Sequence, residues 1–289
     1  MTLNFLSECK ERVFKRIDSL LPETNKIISS MRYSSLAHSK CIRAGLIFAS
    51  GELSKDMTES ALTDMAASIE LMHTYSLIHD DLPSMDDDEI RRGQASNHIK
   101  FNEATAILAG DALQALAYEV LATSKEMTDL QKVACIKALT NACGHEGMIL
   151  GQQYDLDAEK NEFTDIEKIH ELKTARLIQV AITLPHMGLE NQRNSLALLD
   201  DIGLKLGLAF QIIDDVLEVS SDSHTLGKSN QSDIRNQKLT YVNVFGMQES
   251  IEKADALSNQ CITKLKNYFD EEEVKSLIEL AHFMVARKN

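Results

Sequence analysis

Six carboxylates and two arginines fall within the fifteen residues from His79 to Gly93: Asp80, Asp81, Asp86, Asp87, Asp88 and Glu89, then Arg91 and Arg92. Carboxylates at that density repel one another unless cations sit among them, and neighbouring guanidinium groups prefer a bidentate oxyanion such as phosphate. A magnesium-bridged diphosphate satisfies both sets. A second acidic run, Phe210-Gln211-Ile212-Ile213-Asp214-Asp215-Val216-Leu217-Glu218, emerges from an apolar segment. Residues 211, 214, 215 and 218 follow the i, i+3, i+4, i+7 rule and share one helical face. A polar stripe on an apolar helix must pair its charges or bind cations, which makes Asp214, Asp215 and Glu218 candidate metal ligands beside Asp80 and Asp86. The two clusters are expected to form facing walls of one cavity in a helical bundle.

Positioning those walls requires particular elements. Asp80 and Asp86 are six residues apart, which on an unbroken helix would turn them about 240° away from one another. Pro83 disfavours helix at Leu82, so the helix is expected to end near Asp81 and a short loop to fold Asp86 back toward the same metals. Helical periodicity recurs almost throughout, with loops signalled at 21–25, 50–51, 83–97, 159–164, 188–193 and 220–238. Only three prolines and twelve glycines punctuate a chain without tryptophan, in which good helix formers dominate. The expectation is an all-α fold: one domain over residues 1–289, a bundle of roughly ten or more helices.

Composition narrows the function. A formal net charge of -14 argues against nucleic acid or an anionic membrane as the main partner, because such surfaces need clustered excess Lys and Arg. No apolar run is expected to reach the roughly 18 to 20 residues of a membrane span, so no stable membrane association is foreseen. The N-terminus lacks a basic start followed by an apolar core, so no secretory signal is expected. Five scattered cysteines, without a Cys-x-x-Cys pair or zinc spacing, suit reduced thiols in a cytoplasmic protein.

The segment from His73 to Asp88, followed by Arg91-Arg92-Gly93, resembles the first aspartate-rich motif of the trans-isoprenyl diphosphate synthase (polyprenyl synthetase) family, with a two-residue insertion. Asn102 to Leu113, Gly151-Gln152 to Asp155-Leu156, Lys173-Thr174 and Gln211 to Glu218 follow in the family's order. The resemblance runs from about Tyr33 to the C-terminus and is greatest to the bacterial-type farnesyl diphosphate synthases within that family. It implies an all-α bundle around a deep central cavity (the isoprenoid synthase fold), a homodimer, three Mg2+ per site, and head-to-tail 1'-4 condensation of isopentenyl diphosphate with dimethylallyl or geranyl diphosphate to give farnesyl diphosphate.

Residue roles follow from the same resemblance. It adds Asp155 as a further metal carboxylate and Asp81 as a support. Arg91, Lys173, Lys228 and Lys238 would hold the allylic diphosphate, and Lys40, Arg43, His73 and Arg92 isopentenyl diphosphate. The Thr174 hydroxyl, the Gln211 amide oxygen and the Lys173 carbonyl would face the allylic cation. The catalytic set is then Asp80, Asp81, Asp86, Lys173, Thr174, Gln211 and Asp214, with the released diphosphate itself taking the proton.

Tyr75 lies five residues before Asp80, about 7.5 Å deeper along the helix axis, where a bulky ring can floor the prenyl channel. Tyr75, Ser76 and the insertion together resemble the fifteen-carbon product class. Geranyl or geranylgeranyl diphosphate synthase activity is the alternative within the family. A terpene cyclase would need a different second metal motif, and Asp214-Asp215 with Lys40, Arg43 and Arg92 favours condensation. A non-catalytic partner subunit typically loses one acidic cluster, and this chain retains both. Three departures stand out: His38-Ser39-Lys40-Cys41-Ile42-Arg43-Ala44 replaces Gly-Gly-Lys-Arg-x-Arg-Pro, Gln94-Ala95-Ser96-Asn97-His98 replaces Lys-Pro-Thr-Cys-His, and Glu218 replaces an aspartate. Side chains at 38 and 39 in place of glycine are expected to weaken isopentenyl diphosphate binding.

Overall fold

The computed structural model describes residues 2–54, 56–189, 193–225 and 239–286 of the chain. They fall into two compact units, 1–136 with 184–189 and 137–183 with 190–289. The first contains α1 (Thr2–Leu20), α2 (Lys26–Ser35), α3 (Ile42–Gly51), α4 (Glu59–Asp80), α5 (Asn97–Phe101) and α6 (Glu103–Thr123). Helix α7 (Asp129–Cys143) spans the division. The second contains α8 (Met148–Glu159), α9 (Ile166–His170), a π turn (Glu171–Ala175), α10 (Arg176–Thr183), α11 (Arg193–Thr225), α12 (Tyr241–Phe245), α13 (Met247–Tyr268) and α14 (Lys275–Val285). The expectation of an all-α fold holds.

Helix α4 is the axis of the first unit, packed against α1, α3 and α6. Its apolar residues are buried without strict periodicity, including Met65, Ala66, Ala67, Ile69, Leu71 and Met72, as expected of a helix covered on most sides. Thr58 starts it by accepting a hydrogen bond from the Ala61 N–H, at 3.2 Å. Small residues let α6 lie close, and the Ser68 hydroxyl donates to the Ala117 carbonyl across that contact at 2.7 Å. Gly51 belongs to α3 and not to the loop expected at 50–51; a Cβ there would lie 2.6 Å from Leu62. Its small size serves packing.

Helix α6 also departs from expectation. Its 21 residues reach a mean hydropathy of 1.2 over the best window, enough by length and composition alone to cross a membrane. The composition has a local explanation: Ala106, Ala109, Leu113, Ala117, Val120 and Leu121 form a buried stripe, while Asp111 and Glu119 interrupt the exposed face.

In the second unit α11 buries Leu199, Ile202, Leu206, Ala209, Ile213 and Val216 at three- and four-residue spacing. It continues through Thr225, past the expected loop start at Ser220, whose hydroxyl bonds back to the Val216 carbonyl at 2.6 Å without breaking the helix. A Cβ on Gly207 would lie 2.5 Å from the Ala175 Cα, so α11 runs nearly in backbone contact with the π turn. Gly207→Ala is expected to cost about 1–3 kcal/mol of stability through overpacking. Thermal unfolding checks this, and an unchanged midpoint would contradict the close approach.

Candidate active site

The first acidic cluster is built by the end of α4. That helix stops at Asp80, as the position of Pro83 predicts. The chain then turns, with the Met85 N–H donating to the Leu82 carbonyl at 2.8 Å and the Asp86 N–H to the Asp80 carbonyl at 2.9 Å. Asp86 thus returns beside Asp80, and both carboxylates are partly buried. Downstream, Ile90–Arg91 and Gln94–Ala95 form a minimal antiparallel hairpin. Arg92 (φ 56°) and Gly93 (φ 77°) occupy its two turn positions, both left-handed as a type I′ turn demands.

Asp81 behaves differently from Asp80. It is 2% exposed, and its Oδ1 accepts hydrogen bonds from Arg91 Nε at 2.8 Å and from Arg91 Nη2. Nη2 also donates to Asp88 at 2.9 Å. Burial raises the Asp81 carboxyl despite this pairing, and Asp81, Asp88 and Asp80 hold the Arg91 guanidinium above its ordinary value even though burial opposes its charge.

Among the described residues no three His, Cys, Asp or Glu side chains gather as a ready metal cage. Magnesium retains waters and is commonly held by one or two carboxylates together with substrate phosphates. Asp80 and Asp86 fit such an ion.

A cationic cluster gathers around His73 of α4, with Arg43 coming from α3 and Arg92 from the hairpin turn. Arg43 Nη1 and His73 Nε2 are 3.2 Å apart; a guanidinium only donates, so Nε2 accepts and the His73 proton lies on Nδ1. Burial, then Arg43, Arg92 and Arg91, push His73 well below its ordinary value. It is a neutral imidazole. Arg92 is itself lowered, chiefly by burial.

Facing this group is Glu70, which is 5% exposed and accepts the Ala44 N–H at 3.0 Å near the start of α3. Burial raises its carboxyl, against the pull of Arg43, the Ala44 N–H and Arg92. Glu70 escaped the sequence reading, although a carboxylate one helical turn before His73 in an apolar run was the available signal. Lys40 is exposed. Cys41, where the family pattern has arginine, caps α3 at φ 48° with its Sγ 3.0 Å from the Ser39 hydroxyl; burial pushes this thiol up to about 12.

Tyr75 lies one and a half turns before the end of α4, is 5% exposed, and meets the His79 ring edge-on at 5.5 Å. His79 Nε2 lies 3.1 Å from the Ile107 carbonyl of α6. The Ser76 hydroxyl donates to the His73 carbonyl at 2.9 Å.

In the second unit the π turn carries Lys173 and Thr174, and such widened turns recur at functional sites. Gly151 admits it closely: a Cβ there would lie 2.3 Å from the Lys173 nitrogen. Lys173 Nζ donates to Asp155 at 2.6 Å, and the Thr174 hydroxyl donates to Gln211 Oε1 at 2.7 Å. Gln211 Nε2 donates in turn to Asp215 Oδ1 at 3.1 Å, and the Tyr241 N–H donates to Oδ2 at 2.7 Å. His170 Nε2 lies 3.2 Å from the same Oδ2. Burial would raise the Asp215 carboxyl, but His170, the Tyr241 N–H and Gln211 together hold it below its ordinary value. Asp214 is partly buried and Glu218 exposed. His170 and Tyr241 had not been singled out from sequence, since their roles depend on packing around Asp215. Lys228 and Lys238 lie outside the described residues.

Residues 24–281 match the polyprenyl synthetase family. The chain is 38% identical over 283 residues to the farnesyl diphosphate synthase of Escherichia coli (strain K12), covering 96% of this chain and 94% of that protein. It is 39% identical over 293 residues to the geranylgeranyl diphosphate synthase of Cyanophora paradoxa, covering 99% and 97%. The crystal structure of a Helicobacter pylori geranyltransferase, complexed with magnesium and isoprenyl diphosphate, superposes with a TM-score of 0.81 at 28% identity, covering 99% of this chain and 96% of that one.

The neutral state of His73 has a thermodynamic consequence. Its folded pKa lies below the unfolded value, so the unfolded chain binds more protons in the window beneath pH ~6.5, and stability falls as pH drops through that window. Glu70 acts in the opposite sense, because its carboxyl is raised in the fold. The His73→Gln variant isolates the imidazole: denaturant titrations from pH 7 to 5 should show the parent losing up to about 1.4 kcal/mol per pH unit more than the variant. Parallel curves would refute a neutral buried imidazole.

Proposed function

Because the chain belongs to the polyprenyl synthetase family, we propose that this prenyltransferase condenses isopentenyl diphosphate with dimethylallyl or geranyl diphosphate, head to tail, and releases farnesyl diphosphate. The observation that carries the reading is one helix, α4, bearing three kinds of group in order: His73 in a cationic cluster, Tyr75 buried, and Asp80 with Asp86 at its end.

Asp80, Asp86 and Asp214 are the proposed magnesium ligands, with Asp155 and Glu218 in support, for three ions per site. Bound magnesium supplies charge neutralisation as diphosphate leaves the allylic carbon. Arg91, held in place by Asp81 and Asp88, and Lys173, held by Asp155, bind the allylic diphosphate oxygens, with Lys228 and Lys238 assigned to the same task. Lys40, Arg43, His73 and Arg92 bind isopentenyl diphosphate. A neutral His73 gives the phosphate an N–H donor without adding another charge to the cluster. Thr174 and Gln211 present dipoles to the allylic cation, and Lys173 presents its carbonyl. The released diphosphate removes the proton, which leaves no task for a protein base.

Tyr75 closes the channel at fifteen carbons. A twenty-carbon product is the second reading, favoured by the similarity to a geranylgeranyl diphosphate synthase. The five cysteines are all free and buried, which suits a reducing cytoplasm, and a homodimer is the proposed assembly.

Incubating the protein with Mg2+, isopentenyl diphosphate and each allylic primer, then measuring product carbon number, tests the assignment: a fifteen-carbon product is expected, and no chain extension would overturn it. Tyr75→Ala should lengthen the products, whereas an unchanged profile would remove Tyr75 as the floor. Asp80→Ala or Asp214→Ala should lower kcat by at least about a hundredfold with helical circular dichroism retained; activity within a few-fold of the parent would refute their metal roles.

A further inference from the structure

The two aspartates of the second acidic pair occupy different environments. Asp214 is partly buried, while Asp215 is 4% exposed and both of its oxygens are engaged by protein donors. Oδ2 receives the Tyr241 N–H at 2.7 Å and lies 3.2 Å from His170 Nε2; Oδ1 receives Gln211 Nε2 at 3.1 Å. An ionised carboxylate accepts and cannot donate. It therefore fixes which end of the Gln211 amide faces it, and the amide oxygen is left to face Thr174. The Thr174 hydroxyl hydrogen is drawn into that bond, at 2.7 Å, so the remaining Thr174 oxygen lone pair points away from Gln211.

We propose that Asp215 is a positioning residue: through the Asp215, Gln211, Thr174 relay it sets the polarity of the two dipoles offered to the allylic cation, and it is not a magnesium ligand. The inference rests on the assignment of Thr174 and Gln211 as the groups facing that cation. With the relay as built, both side chains can offer oxygen to positive charge. With the amide reversed, Gln211 would direct an N–H at Thr174 and the Thr174 hydrogen would turn outward toward the cation, opposing its formation.

Asp215→Asn tests this with an isosteric change. The backbone N–H of Tyr241 requires an acceptor, so the introduced amide gives its oxygen to Tyr241 and its NH2 to Gln211, which reverses the relay. We expect kcat at saturating substrates to fall about a hundredfold, the magnitude typical of losing one preorganised dipole. KM for each diphosphate and the Mg2+ concentration for half-maximal activity should stay within about threefold, since ground-state binding is untouched. The double variant Asp215→Asn with Gln211→Glu restores an acceptor facing Thr174 and should recover about tenfold in kcat, one such hydrogen bond's worth of rate. A raised Mg2+ requirement in Asp215→Asn, a rate within a few-fold of the parent, or no recovery in the double variant would overturn the proposal.

A readout independent of turnover is the Gln211 side-chain NH2 resonance in protein labelled with 15N-glutamine, identified by its loss in Gln211→Ala. It should shift in Asp215→Asn and stay in place in Glu167→Gln, which alters the Tyr241 hydroxyl contact at 2.9 Å and the Lys253 ion pair at 3.6 Å but leaves Asp215 and Gln211 unchanged. A signal that ignores Asp215→Asn refutes the relay. Absence of prenyl transfer by the parent would instead remove the assigned reaction, while the amide resonance still decides the polarity of the pair.

Discussion

Burying a carboxylate is costly unless donors answer it, and that constraint governs both acidic pairs. In each Asp-Asp doublet the second residue is buried and engaged by the protein. Asp81 holds Arg91, and Asp215 holds Gln211, Tyr241 and His170. The first residue of each doublet, Asp80 or Asp214, stays partly buried. Two adjacent aspartates on a helix point in directions about 100° apart, so one can face inward while its neighbour faces a ligand. On the proposed reading the inner aspartates set the positions of phosphate-binding and dipolar groups, and the outer ones meet the metal.

The same constraint shapes the cationic cluster around His73 of α4. Arg43, Arg92 and His73 are enclosed together, and positive charge at that density would be strongly unfavourable if all three were protonated. His73 answers by staying neutral, and Glu70 supplies the nearby carboxylate. The departure at residues 38–41 falls beside this cluster. Cys41, in a left-handed conformation that disfavours a side chain, begins α3 just before Arg43. On the proposed reading, strain at that position would weaken the hold on isopentenyl diphosphate.

Much of this was legible in the residues. Pro83 and the spacing of Asp80 and Asp86 foretold the end of α4 and the returning loop, and the i, i+3, i+4, i+7 pattern placed Gln211, Asp214 and Asp215 on one helix. What stayed hidden depends on long-range contacts. In the second doublet Asp214 and Asp215 both read as metal ligands, because sequence does not reveal which aspartate turns inward. Tyr241 enters only because its backbone N–H finds Asp215 across 26 positions, and Glu70 only because the Ala44 N–H donates to it from α3. The two-strand hairpin was missed because its turn, Arg92-Gly93, carries a side chain where glycine or asparagine is usual. No apolar run of membrane-spanning length was expected, yet α6 reaches one by length and composition, and its buried stripe serves the core of its unit.

Formation of an allylic cation is tested most directly by comparing kcat for geranyl diphosphate with kcat for its 2-fluoro analogue. Fluorine scarcely alters size but withdraws electrons from the carbon that must become positive. Rate-limiting ionisation predicts a fall of about a hundredfold or more, equivalent to at least about 2.7 kcal/mol in barrier height. Equal rates for the two substrates would contradict it.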